Sequence, residues 1–452
     1  MEINTGNTAW LLVSSALVLL MTPGLALFYG GLNRSKGTLN MMMMSFSCIG
    51  LISVLWALYG FTLAFGTNSS SGINNFIGSF TQYFGTGTSW IGEEWMVAGA
   101  GTGIPSYVFM VFQMMFAIIT VALISGALSD RLKFGGWVLF ALGWFTLVYV
   151  PVAHMIWGGG LIGAKIGALD FAGGTAVHIN AGAAALGATL VLGKRIGWPR
   201  ENMRPHNVPF VALGAGLLWF GWFGFNAGSE LTVDSVTAFA FVNTQLATAA
   251  ALMGWCIVEW IRDGKPTMVG ASSGAVAGLV AITPACGFIA PLPAILLGLI
   301  AGALCALAVS LKYRFGYDDS LDVVGVHFVG GWIGSLFIGF FATTQVNAVA
   351  ARESVFYGGG VDQLWRQALG SGIVSVYSFG IAAILAIILK SVKILRVSED
   401  AEVGGIDIAD HGETAYDLTP SGGAGGGSAF AMAGLTPSGT EGSAPVGEKV
   451  AG

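Results

Sequence analysis

DFAGGTAVHINAG, residues 170–182, is the stretch whose reading decides the architecture. An acid opens it, two glycines and a threonine follow, and His178 stands eight residues after Asp170. The chain then runs apolar to Leu192 and stops at Lys194-Arg195. His178 thus lies about a third of the way into a segment long enough to cross a bilayer, where an ionisable side chain is costly and marks function by default. A second such element is Asp322-Val-Val-Gly-Val-His327-Phe-Val-Gly-Gly, again acid, glycine and histidine entering an apolar run. The rest of the chain reads as scaffolding around these two histidines.

Working outward, the apolar fraction is 54% and the charged fraction 10%, against about 25% charged in soluble domains. Residues 268–311 carry no charge at all. Repeated apolar blocks of about 20 residues predict helices that cross a membrane, and exclude a barrel of strands alternating over about 10. The fold class is an all-α polytopic membrane protein. Eleven transmembrane helices are expected, at about 9–31, 41–65, 107–128, 135–156, 171–192, 208–229, 236–259, 268–287, 291–311, 322–343 and 367–389. The N-terminus has no basic region of the signal-peptide kind, so the first block is expected to be a permanent span. Cys48, Cys256, Cys286 and Cys305 are scattered through apolar runs without metal-ligand spacing, and read as small buried hydrophobes.

Loop charge sets the orientation. One set of connections, with the C-terminal flank, holds Arg34, Lys36, Arg131, Lys133, Lys194, Arg195, Arg200, Arg204, Arg262, Lys265, Lys312, Arg314, Lys390, Lys393 and Arg396. The other holds Lys165, Arg352 and Arg366. The positive-inside rule puts the N-terminus out and the C-terminus in. His178 falls in span five and His327 in span ten, which cross in opposite directions. Spans 1–5 and 6–10 therefore read as an inverted repeat with its working site near the midplane, and span eleven as an addition. Three units follow: 1–395 as the transmembrane domain, 396–418 as a cytoplasmic segment, and 419–452 as a Gly/Ser/Ala-rich tail that cannot bury a core. The outer loop 67–106, rich in Gly, Ser and Asn, is expected to carry short irregular structure.

Of five histidines, His206 and His411 lie in cytoplasmic segments, and His154 ends span four in a structural role. If His178 and His327 meet, they share one proton and rarely carry two charges; the alternative is two unrelated helix–helix hydrogen bonds. A metal site built from these histidines with Asp170 and Asp322 is disfavoured, because each acid opens its span while each histidine sits deeper. Asp170 reads as a cap on free backbone N–H groups, adding negative potential at the span mouth. Phe112 and Phe116 share a helix face at i, i+4; Trp157 ends span four; Trp222-Phe-Gly-Phe-Asn-Ala-Gly-Ser229 ends span six. Such a mouth attracts a small cation by cation–π contact worth about 0.5–2 kcal/mol. An interfacial aromatic belt is the alternative, and spacing leaves both open.

Several blocks carry a family resemblance: PGLALFYGGL (23–32), AHMIWGGG (153–160), DFAGGTAVHINAG, GWFGFNAGS (221–229), GASSGAVAGLVAITPACG (270–287) and DVVGVHFVGG (322–331). In order, over about residues 9–417, they closely resemble the ammonium transporter family (Amt/MEP/Rh), in its bacterial Amt branch. The resemblance implies a homotrimer in the inner (plasma) membrane, each subunit with its own narrow hydrophobic pore. It implies an outer ammonium-recruiting site at Trp157, Phe112 and Ser229, and a gate at Phe116 and Phe225. His178 and His327 would be the paired pore histidines, with Trp222 and Thr283 beside them. Asp170 and Asp322 would be structural and electrostatic. The segment from Gly404 to Tyr416 resembles the family's cytoplasmic C-terminal motif, which implies a PII-type signalling partner. Ammonium or ammonia is the implied substrate, with methylammonium as analogue. No cofactor, metal, enzymatic activity or nucleic-acid partner is implied. The rivals are a Rh-like gas channel, an ammonium sensor with little flux, and an intramembrane metalloenzyme, for which no nucleophile or third ligand stands out. Trp157 favours the Amt reading over Rh.

Overall fold

A computed structural model of the protein describes residues 3–80, 102–201 and 203–416. The tail 419–452, and residues 81–101 of the outer loop, lie outside the described residues. Among the described residues, ten helices are long and apolar enough to cross a membrane. Among the described residues there is one isolated β-bridge, Leu132 with Arg396, and no longer strand pairing. The protein is a multi-pass, all-helical membrane protein.

Side-chain caps and glycines set the helix ends. Asn207 accepts from the Phe210 N–H, Thr267 from the Gly270 N–H, and Asp234 forms a reciprocal capping box with Thr237. The Ser235–Asp263 helix stops at Gly264 with φ 79°, the left-handed conformation that glycine adopts without penalty. Met268–Ile282 departs from expectation. It is 15 residues, about 22 Å of helix, against a hydrocarbon core of about 30 Å. The apolar run continues to Gly287, but Pro284 has no N–H to extend the ladder, and turns follow.

Small residues let the helices meet. The Thr5–Leu32 helix packs most extensively along Val208–Ala227. A Cβ at Gly214 would collide with the Phe28 backbone, and one at Gly221 with Met21. Between lipid-embedded helices, close packing replaces the hydrophobic drive. The two histidine helices cross on the same principle: a Cβ on Gly182 would strike the Phe328 backbone, and one on Gly331 the carbonyl of Gly174. The Asp362–Ser391 helix lies along Asn180–Leu192.

After it, residues 396–416 fold back over the basic ends of the bundle. Val397 N–H donates to Arg131 O, and Arg396 pairs with Glu402 at 2.7 Å. Asp407 accepts from the Leu39 and Asn40 N–H groups, and Asp410 from Phe134 N–H. His206 Nε2 lies 2.9 Å from Tyr416 Oη.

Candidate functional site

Each of the two buried histidines sits in a π-helical turn, Gly174–Ile179 for His178 and Val324–Phe328 for His327. Such wide turns recur at functional positions in helices. Asp170 prepares the first. Its Oδ1 accepts from Gly173 and Gly174 N–H at 2.9 and 2.7 Å, and its Oδ2 from Thr175 and Ala176 at 2.8 and 2.9 Å. Four of the otherwise free N–H groups at that helix start are thereby held by one carboxylate. Burial pushes the carboxyl above its usual range, with the four donors opposing.

At the second element an acid that the sequence reading did not single out caps the helix start. Asp319, not Asp322, accepts from the helix start, through Val323 N–H at 3.1 Å and Val324 N–H at 2.8 Å. Asp322 is itself the turn residue, with φ 64°, and pairs with Lys312 at 2.6 Å. Asp319 precedes His327 by eight residues, the spacing of Asp170 and His178. That repeated spacing was the overlooked signal. Burial, with Asp322 adding to it, pushes the Asp319 carboxyl up to about 6.

The aromatic side chains form a column. Phe116 stacks on Phe225 with centroids 4.2 Å apart at 29°. The His178 ring lies 6.1 Å from Phe225 and 5.3 Å from Trp222, to which it is nearly parallel. His327 follows, 5.3 Å from His178 at 17°, their Nδ1 atoms 3.2 Å apart. Trp222 is oriented by donating from Nε1 to Thr283 Oγ1 at 2.8 Å, while that hydroxyl donates to Leu279 O. Both histidines are buried, and His178 Nε2 has no partner among the described residues.

Above the column lies a cavity of about 460 Å³. Trp157, Ser229 and Phe116 line it, as do Phe61, Phe65, Phe109 and Gln113. Trp157 meets Phe116 edge-on at 6.1 Å and donates from Nε1 to Asp170 O at 2.9 Å. One carboxylate residue therefore anchors both the mouth tryptophan and the start of the His178 turn. The Ser229 hydroxyl donates to Phe225 O at 2.8 Å, so its lone pairs remain to accept.

Phe112, expected at the mouth, is fully buried and absent from the cavity lining; its ring packs 4.9 Å from Phe116. The helix face turned to the cavity is Ser106, Phe109, Gln113 and Phe116, a stripe spaced three, four and three residues. That spacing was available in the sequence, and Phe109 and Gln113 were not drawn from it. His154 sits away from the column, its ring nitrogens 2.9 and 2.7 Å from Ala64 O and Asn74 O. Among the described residues no group of three or more His, Cys, Asp or Glu side chains is placed to hold a metal.

Residues 9–416 match the model of the Ammonium Transporter Family. The chain belongs to that family. It is 55% identical over 442 residues to an ammonium transporter of Mycobacterium tuberculosis, covering 92% of this chain and 91% of that protein. A Bacillus subtilis ammonium transporter is 47% identical over 415 residues, 91% and 98% of the two chains. The crystal structure of Candida albicans Mep2 superposes with a TM-score of 0.80 at 32% identity, over 93% of this chain and 94% of that one. A sensor Amt protein matches with a TM-score of 0.80 at 30% identity, over 90% and 98%. Membership places the chain among transporters rather than enzymes.

Proposed function

We propose that the protein moves ammonium across the inner membrane by capturing the cation at the outer cavity, removing a proton below it, and conducting ammonia past the histidine pair. The observation that carries this reading is the continuous column from Trp157 through Phe116 and Phe225 to His178 and His327. Its top is open to a cavity and its lower rings are buried.

The energetics favour deprotonation. Taking a bare cation into low dielectric costs several kcal/mol even after relaxation. Ammonium is a weak acid about one unit below lysine, so losing its proton near pH 7 costs roughly 3 kcal/mol. Trp157, beside Phe116, offers ring faces to the cation, and Ser229 offers lone pairs; Phe112 holds Phe116 from behind. Phe116 and Phe225 form the gate. His178 and His327 supply hydrogen bonds to ammonia, Trp222 and Thr283 fix the His178 ring, and Asp170 holds the mouth. Potassium has no proton to lose and is refused.

The larger frame belongs to the same proposal. Met268–Ile282, with the turns after it, supplies the eleventh crossing, which puts the N-terminus outside and the C-terminus inside. The two halves form an inverted repeat, supported by the shared acid-to-histidine spacing and by the packing of the first helix on Val208–Ala227 and of the two histidine helices on each other. The protein works as a homotrimer in lipid. Residues 396–416, which lie over the basic loops, are where a PII-type partner would act.

Current and uptake measured together in proteoliposomes test this, with ammonium, methylammonium and potassium pulses on wild type and His178→Ala. The expected result is uptake of ammonium and methylammonium but not potassium, with selectivity lost in the variant. Uptake with inward current indicates that the proton follows; uptake without current indicates an ammonia channel. Ammonium binding with neither uptake nor current would replace transport by sensing, the reading that the likeness to the sensor Amt protein favours.

A further inference from the structure

The two histidines meet only if their helices keep one offset. Close backbone contact at Gly182 and Gly331 allows that approach, but such contact is not directional. Hydrogen bonds are, and a polar stripe on the Asp362–Ser391 helix supplies them. Gln367 donates from Nε2 to Leu169 O at 2.7 Å and accepts at Oε1 from Leu169 N–H at 2.6 Å, which fixes the direction of its amide. The second N–H of that amide reaches Ser335 Oγ at 3.2 Å. Ser335 Oγ lies 2.8 Å from Ser371 Oγ, which lies 3.4 Å from Thr175 Oγ1. Accepting from Gln367, Ser335 is left with its proton for Ser371, and Ser371 with its own for Thr175. All four side chains are buried.

This chain of groups joins three helices. Thr175 lies in the π-helical turn, three residues before His178. Ser335 lies in the Val329–Phe341 helix, which continues the turn of His327. Ser371 stands between them. Seven residues further along its helix, two turns, Ser378 donates to Asn180 O at 2.7 Å, immediately after the His178 turn. One helix face thus holds that wide turn at both ends. We infer that Ser371 and Ser378 are positioning residues, which keep the His178 turn in register with the His327 helix and so set the approach of the two imidazoles. The inference rests on the role proposed above for the histidine pair. Hydrogen bonds from N–H donors span about 2.7–3.2 Å, so the 3.2 Å between the Nδ1 atoms tolerates little further slip.

The test reads the imidazole pair directly, by solid-state nitrogen NMR of ring-labelled histidine in lipid, beside ammonium uptake in proteoliposomes. His327→Ala assigns the signals of the pair. The double variant Ser371→Ala with Ser378→Ala should lose the signature of two Nδ1 atoms sharing one proton. Its kcat should fall about fivefold, the scale of one buried hydrogen bond. Its KM should stay within about twofold, because the mouth residues are untouched. Thr175→Val keeps the shape of threonine without the hydroxyl and should weaken the same signature. Thr175→Ser keeps the hydroxyl without the methyl and should retain the wild-type spectrum.

A double variant that keeps the paired signature overturns the inference, even where its uptake or melting temperature falls, since lost packing alone would do that. If the double variant does not assemble, the two Thr175 variants decide. A signature weakened in Thr175→Val and kept in Thr175→Ser supports the inference, and any other pattern overturns it. Loss of the signature with kcat unchanged supports the positioning and refutes the role proposed for the pair in conduction. Absence of a paired signature in the wild type overturns both.

Discussion

His178 and His327 face each other through Nδ1 atoms 3.2 Å apart. One Nδ1 carries a proton and donates it to the lone pair of the other; two protons there would place like against like. The pair therefore presents its two Nε2 atoms as one donor and one acceptor, alternating along the column with the shared proton. His178→Ala or His327→Ala removes this pairing and leaves a space that water can fill. Each variant should pass potassium as well as ammonium, which ion-replacement currents in proteoliposomes would detect. Unchanged potassium exclusion in both variants would remove the pair from the selectivity mechanism.

Phe116 and Phe225, the proposed gate, stack above the histidines with centroids 4.2 Å apart. Stacked aromatic pairs contribute about 0.5–1.5 kcal/mol beyond their buried area. Phe225→Ala also opens a void against Trp222 and His178. The expected outcome is a protein that still assembles but admits water, so stopped-flow shrinkage of loaded vesicles should quicken. No change in water permeability would mean that the constriction lies elsewhere.

Asp170 is fixed by four N–H donors and holds Trp157 through its carbonyl. Removing the carboxylate in Asp170→Ala leaves those buried donors unpaired. At about 1–3 kcal/mol per unsatisfied group, the loss should exceed 3 kcal/mol and lower the melting temperature in detergent. Asp170→Asn keeps one oxygen and should fall between Ala and wild type. Equal melting temperatures for the three proteins would contradict the capping account.

Asp318 predicts a pH dependence of definite sign. Burial alone would raise its carboxyl, but the Arg195 guanidinium at 2.8 Å and nearby Arg131 outweigh it and hold the group below the usual carboxylate range. A depressed folded value means stability that is present above the unfolded value of about 3.9 and lost as pH falls through the folded value. Asp318→Asn should be less stable than wild type at pH 7, and the gap should narrow below about pH 4. A gap that stays constant from pH 7 to pH 3 would show that the cost is steric rather than electrostatic.

The membrane class, ten of the helices and the two buried histidines were legible from composition and from charge-free runs. Hydropathy needs no knowledge of neighbours, because lipid imposes the same demand on every span. The eighth apolar run illustrates the limit: composition carried it to Gly287, whereas Pro284 ended the helix at Ile282. Local rules also passed over the second capping acid. Asp322 is nearer to His327 in sequence, yet it pairs with Lys312 while Asp319 holds the Val323 and Val324 N–H groups.

What the sequence by itself determined was the solvent of each segment and the spacing of acid to histidine, since both depend on residue type and order along one chain. Only the tertiary structure decided that His178 and His327 meet nitrogen to nitrogen, that Phe112 stands behind Phe116, and that Gln113 reaches the cavity. Those relations join helices far apart in sequence, and they follow from where glycines such as Gly182 and Gly331 allow backbones to touch. Close packing converts a small offset between helices into a different set of neighbours, and periodicity within one helix carries no information about that offset.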